Sequence, residues 1–86
     1  MKLEPKTVEV DGFEFRIRVP LGSDWLAIAP LESAERSLAL ILRLVERDGE
    51  PAWKSIQELE RLPMAMLLEL DRECCSLLEY PVSDPT

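Results

Sequence analysis

The chain has 86 residues, 47% apolar and 31% charged, and a formal net charge of −7 at pH 7. This length suits one small domain, and the balance of apolar to charged residues lies outside the disordered class. Phosphate backbones are met by clusters of Lys and Arg, and none occurs here, so no direct nucleic-acid binding is expected.

Prolines and glycines divide the chain into its expected elements. Val8 to Val10 and Phe13 to Val19 alternate apolar and polar residues around Asp11-Gly12. Asp-Gly supplies the positive φ angles of a two-residue type I′ turn, the strongest short-range hairpin signal. The spacing predicts a hairpin over 6–20 with Val10 facing Phe13 and Val8 facing Phe15. Val8, Val10, Phe13, Phe15, Ile17 and Val19 would then share an apolar face. Glu9, Glu14, Arg16 and Arg18 would share the other. Glu9 opposite Glu14 is a like-charge pair, which Arg16 could relieve diagonally. No later stretch reads as a third strand, so the hairpin must lean on helices, since two strands alone are marginal in water.

Pro20 ends the second strand, and "GSDW" reads as a helix start with Ser23 as N-cap and Asp24 in the first turn. That helix is short because Pro30 interrupts it. Leu31, Ala34, Leu38, Ile41, Leu42 and Val45 follow helical spacing and predict an amphipathic helix to about Arg47, ended by Asp48-Gly49. Glu32 and Arg36 are placed to pair at i, i+4. Together these helices occupy 23–48. Ser55 and Glu58 form a capping-box pattern at the start of a short helix from Ile56 to Arg61. Pro63 suits the first position of a last helix to about Glu79, with Leu67, Leu70, Cys74, Leu77 and Leu78 facing the core. These two helices occupy 55–80, and 81–86 reads as a flexible tail. The expected architecture is therefore α+β, one domain over 1–86, with a two-stranded β-hairpin packed on three to four α-helices.

Charge is unevenly spread: residues 1–20 are neutral, 21–50 carry −3 and 51–86 carry −4. Histidine is absent, which removes the commonest general base and metal ligand and every Ser-His or Cys-His nucleophile arrangement. Cys74 and Cys75 have neither the C-x₂-C spacing of zinc sites nor that of redox pairs. They read as one core cysteine and one beside it, and reduced thiols fit a cytosolic protein. Glu69 and Glu73 share a helical face, but a Mg²⁺ or Ca²⁺ site needs more oxygens. No catalytic residue, cofactor or metal is expected. The opening "MKLEPKTVEV" has no apolar stretch after its lysine, and the longest apolar run, "LALIL" at 38–42, is far short of a span. A cytoplasmic location without membrane association follows as the expectation.

Trp25 and Trp53 stand near element starts, where tryptophans pack as lids over a core or anchor a partner. Met64 and Met66 flank Pro63 and fill gaps or line an adaptable groove. Both strands of a lone hairpin are edges. Either arginines blunt such edges, or an edge accepts a strand from a second copy or from a partner. A homo-oligomer is therefore left open.

The order of elements carries a resemblance. "TVEVDGFEFRIRVPLGSDWLAI", with Asp11, Gly12, Arg18 and Pro20, followed by a leucine-rich helix and "SIQELERLPMAMLLELDRECCSLL", resembles the small tail assembly chaperones of long-tailed bacteriophages over roughly residues 7 to 79. The resemblance implies a non-catalytic, phage-encoded protein of the host cytoplasm. Such proteins bind the long helical tape-measure protein and recruit tail-tube subunits, and a longer frameshifted form is often made. It supplies no catalytic residues. The hairpin's charged face, Glu14, Arg16 and Arg18, together with Trp25, is the expected partner-binding surface. A small acidic inhibitor or antitoxin covering a basic partner is the alternative, although arginines at 36, 43, 47, 61 and 72 break any continuous acidic stripe.

Overall fold

The computed structural model describes residues 4–78. Strands β1 (Lys6–Val10) and β2 (Phe13–Ile17) form the N-terminal antiparallel hairpin. Its register pairs Val10 with Phe13, Val8 with Phe15 and Glu9 with Glu14, as the turn chemistry predicts. Asp11 and Gly12 have φ of 55° and 83°, the left-handed pair that a type I′ turn demands. Helices α1 (Gly22–Ile28) and α2 (Ser33–Leu44) follow.

From α2 onward the expectation fails in one respect. The helix stops at Leu44, and Val45 is already extended, with φ −84° and ψ 126°. Val45–Arg47 forms β3, and Glu50–Pro51 forms β4. The sheet has four strands in the order β1-β2-β3-β4, so the later chain does supply a third strand and a fourth. The cause is a second Asp-Gly turn. Asp48 and Gly49 have φ of 57° and 83°, matching the first turn, and set Arg47 opposite Glu50. What reads as a helix terminator is a hairpin turn. Val45, placed on the helical stripe by its spacing, instead pairs with Ile17 on β2, and both are fully buried. Pro51 has no N–H to give a ladder, which suits the outer edge it occupies.

Helices α3 (Ile56–Glu60) and α4 (Met64–Leu78) complete the described residues. Ser55 caps α3 as expected, its Oγ accepting from the Glu58 N–H at 3.4 Å, while the Glu58 carboxylate accepts from the Lys54 N–H at 3.0 Å. Pro63 sits just before α4, where its carbonyl accepts the N–H groups of Met66 and Leu67, one position earlier than predicted. The predicted end of this helix at Glu79 and the tail at 81–86 lie outside the described residues.

The core forms where one sheet face meets the helices. Val8, Val10, Phe15, Ile17 and Val45 come from the sheet. Ile28, Leu40, Ile41, Leu44, Leu59, Met66, Leu70 and Cys74 come from the helices. The α4 stripe is rotated slightly from the expectation: Met66 is buried, whereas Leu67 and Leu77 are half-buried. Phe13 stands at the turn end of the apolar face and is exposed, with the Arg47 guanidinium 5.1 Å from its ring centroid. Trp53 packs against Phe15, ring centroids 5.3 Å apart, and acts as the lid predicted for it. Arg36 Nη2 donates to the Leu31 carbonyl at 2.9 Å instead of pairing with Glu32.

No atom stands near a Cβ placed on Gly49 or Gly22, so substitution there tests the backbone alone. Gly49→Ala is expected to cost about 1–2 kcal/mol, because a left-handed φ is imposed on a side chain. Gly22→Ala, inside a helix, should be neutral or slightly stabilising. Urea unfolding of the two variants checks this. Equal midpoints would show that the second hairpin does not depend on its turn.

Candidate functional site

The most highly organised polar group in the molecule lies where β2 leaves the sheet. Arg18 follows β2, Asp24 lies in the first turn of α1, and Arg43 lies in the last turn of α2. Asp24 is 1% exposed, the only buried charged side chain among the described residues. Arg18 grips it with both terminal nitrogens: Nη1 donates to Oδ2 at 2.9 Å and Nη2 to Oδ1 at 2.7 Å. Arg43 Nε donates to Oδ1 at 2.7 Å, and the Leu21 N–H donates to Oδ2 at 2.7 Å. Arg18 is itself oriented, with Nε donating to the Arg43 carbonyl at 3.1 Å and Nη1 to the Val19 carbonyl at 3.2 Å.

Local sequence explains this convergence. Pro20 stops the strand and turns the chain so that Leu21, not Ser23, is the N-cap of α1, with φ −117° and ψ 167°. Leucine has no side-chain acceptor for the first amides, so Asp24 reaches back three residues to the Leu21 N–H, the carboxylate half of a capping box. Its negative charge suits the helix N-terminus, and the guanidinium on the Arg43 carbonyl suits a helix C-terminus. Two arginines against one carboxylate leave no acid unpaired, which is the condition for burying a charge at all.

The electrostatic consequence has a definite sign. The hydrogen bonds from Arg18 hold the Asp24 carboxyl well below the usual carboxylate range; burial opposes this, and the Leu21 amide and Arg43 reinforce it. Arg18 is in turn held more firmly protonated, mainly by the same bonds. No proton is available near neutrality in such an arrangement, so Asp24 is a fastening point and not an acid or a base. Burial pushes the Cys74 thiol up to about 12, the opposite of an activated nucleophile. Glu69 pairs with Arg72 and Glu73 with Lys6. Among the described residues, no group of three or more His, Cys, Asp or Glu could hold a metal ion. No helix among them is long and apolar enough to cross a membrane.

The four residues expected to meet a partner are separated in the structure. Glu14 and Arg16 lie exposed on the outer sheet face, Arg16 opposite Glu46 on β3. Arg18 is half-buried in the ionic cluster, and four of its N–H donors are engaged by Asp24 and two carbonyls. Trp25 is 63% exposed on α1 and does not act as a lid. Sequence reasoning omitted its neighbours: Leu21 is 59% exposed and Leu26 is 74% exposed. Three large apolar side chains within six residues thus stand in water around a helix start whose backbone is fixed by the buried aspartate. The "L-x-x-x-W-L" run was visible, but helical spacing alone does not say which side faces the core. Elsewhere, an open cleft of about 260 Å³ lies between Phe13, Phe15, Arg47, Trp53 and Met66, and another of about 300 Å³ between α2 and α3.

Comparison with known proteins gives no family: no family model, curated protein or solved structure matches the chain.

Asp24→Ala should destabilise the fold by about 3 kcal/mol, the low end for breaking a buried pair because both arginines keep contact with water. An acid with a depressed native pKa adds stability that is complete above its unfolded value of about 3.9 and is lost as pH falls toward the native one. The stability gap between wild type and Asp24→Ala should therefore be widest above pH ~5 and shrink steadily on acidification. Urea titrations across that range measure the gap, and a constant gap would exclude the electrostatic origin.

Proposed function

We propose that this chain is a non-catalytic tail assembly chaperone of a long-tailed bacteriophage, which binds the tape-measure protein and helps recruit tail-tube subunits. One observation supports this reading in the structure: the apolar face of Leu21, Trp25 and Leu26, held in water directly after the hairpin and its Arg18-Val19-Pro20 exit. The residue order of that region is what resembles the tail chaperones. An exposed group of large apolar side chains on a small domain marks an interaction surface, and a long amphipathic helix offers a matching apolar stripe in the helix-in-groove mode. Covering that stripe would keep the client from aggregating until the tube is built around it.

The mechanism needs no bond-making. Trp25 supplies a large, stiff apolar contact with an N–H at its edge, the residue type most often found at the energetic centre of interfaces. The ionic cluster of Arg18, Asp24 and Arg43 fixes the helix from behind, so less ordering entropy is lost when the client docks.

The test is co-expression of the tagged chain with its native genetic neighbours, affinity capture and identification of bound proteins by mass. Recovery of a very long, helix-rich protein is expected. With Trp25→Ala and Leu26→Ala together, recovery should fall by roughly tenfold or more, as for loss of a hot spot. Both side chains are mostly in water, so unfolding free energy should change by no more than about 0.5 kcal/mol. A small basic protein recovered one-to-one would overturn this reading in favour of an acidic inhibitor or antitoxin.

A further inference from the structure

A second surface, on the opposite edge of the sheet from β4, stands apart from the reading above. β1 is an outermost strand. In a hairpin closed by a two-residue turn, the flanking residues form a hydrogen-bonded pair and the bonding alternates from there. Val10, Val8 and Lys6 therefore bond to β2, while the main-chain N–H and C=O of Thr7 and Glu9 point away from it. No other strand of the described residues pairs with this edge, and β1 contains neither a proline nor a bulge; the charges it carries are Lys6, drawn to Glu73, and Glu9.

α4 runs beside β1 and is tied to it by polar contacts near the start of the strand. Lys6 Nζ reaches Glu73 and donates to Ser76 Oγ at 3.1 Å. Toward the turn end of β1 an open groove of about 330 Å³ is lined by Glu9, Val10, Asp11, Ala65, Met66 and Glu69, together with Pro63. Its floor is apolar, with Val10 and Met66 buried. Its charged lining residues are all acids. Glu69 shares an oxygen with Arg72 at 2.7 Å in an exposed pair, and neither Glu9 nor Asp11 has an ion-pair partner among the described residues.

We infer that this groove takes an extended segment of a partner protein that adds to β1 as a fifth strand and alternates apolar with basic residues. The period of two follows from the pleat. Side chains on one face of the added strand enter the groove against Val10, Ala65 and Met66. Those on the other lie beside Thr7 and Glu9, where a lysine or arginine opposite Glu9 is the favourable cross-strand pair. A second copy is a poorer occupant. Antiparallel pairing of two β1 strands sets Glu9 against Thr7 or Glu9 of its copy and supplies no cation there.

The experiment uses the ¹⁵N-labelled full chain and an end-blocked octapeptide of alternating lysine and valine. Saturable amide shifts at Thr7, Glu9, Met66 and Glu69 are expected, with slowed hydrogen exchange at Thr7 and Glu9. The same peptide N-methylated along one backbone edge keeps its charge and side chains but should bind at least roughly tenfold more weakly. An alternating glutamate–valine peptide should not bind. The double variant Glu9→Gln, Asp11→Asn should lose affinity by a similar roughly tenfold factor. It keeps a residue that tolerates the left-handed turn position and removes a like-charge pair, so its fold should hold. Equal binding of the N-methylated peptide would overturn strand addition, and equal binding of the glutamate peptide would overturn the charge rule. Absence of saturable binding of the lysine peptide, or a peptide-free dimer with Thr7 and Glu9 amides already protected, would overturn the proposal outright.

Discussion

Three structural elements meet at one carboxylate. Asp24 takes two bonds from Arg18, one from Arg43 and one from the Leu21 amide, at 2.7 to 2.9 Å. These contacts join the end of β2, the start of α1 and the end of α2, and so fix the angle at which the helical half leaves the sheet. Apolar packing fills the interior but is tolerant of direction; a bidentate arginine on a buried acid is not. The rest of the arrangement inherits its orientation from this point. α2 must arrive with Arg43 beside Asp24, and its next two residues, Leu44 and Val45, are then delivered to the core and to the sheet.

Local chemistry made much of this legible in the residues. Asp11-Gly12 announced the first hairpin and its register, and Ser55 with Glu58 announced the start of α3. The same signal at Asp48-Gly49 was misread because the helical spacing of Leu38, Ile41, Leu42 and Val45 runs right up to it. A three-residue strand cannot establish a period of two, so the helix pattern won on paper. Tertiary pairing with Ile17 wins in the molecule. The ionic cluster was illegible for another reason. Arg18 and Asp24 both suited solvent by composition, and Arg43 lies 19 residues beyond Asp24 with no local mark.

The expected binding residues divide along the same line. Alternation correctly set Glu14 and Arg16 on the outer face of the sheet, because a strand's two faces are determined by counting. It could not show that Arg18 is withdrawn into structure, since that depends on where α1 and α2 go. Nor could it show which way a seven-residue helix turns its tryptophan. The two candidate surfaces thus have different physical characters. One is a cluster of apolar side chains on a rigid helix start, and the other is an unpaired backbone edge with acids around it.

The fastening of Lys6 to Glu73 and Ser76 spans almost the whole chain. During synthesis β1 leaves the ribosome well before α4. Val8 and Val10 therefore wait for Met66 and Leu70 until all the intervening segments have been made, although the hairpin itself can close at once. In that interval the first hairpin lacks its covering helix, so the apolar face of the nascent chain stays in water until α4 emerges. A cell making this protein in quantity would meet an aggregation hazard at the ribosome exit, while α4 is still to emerge.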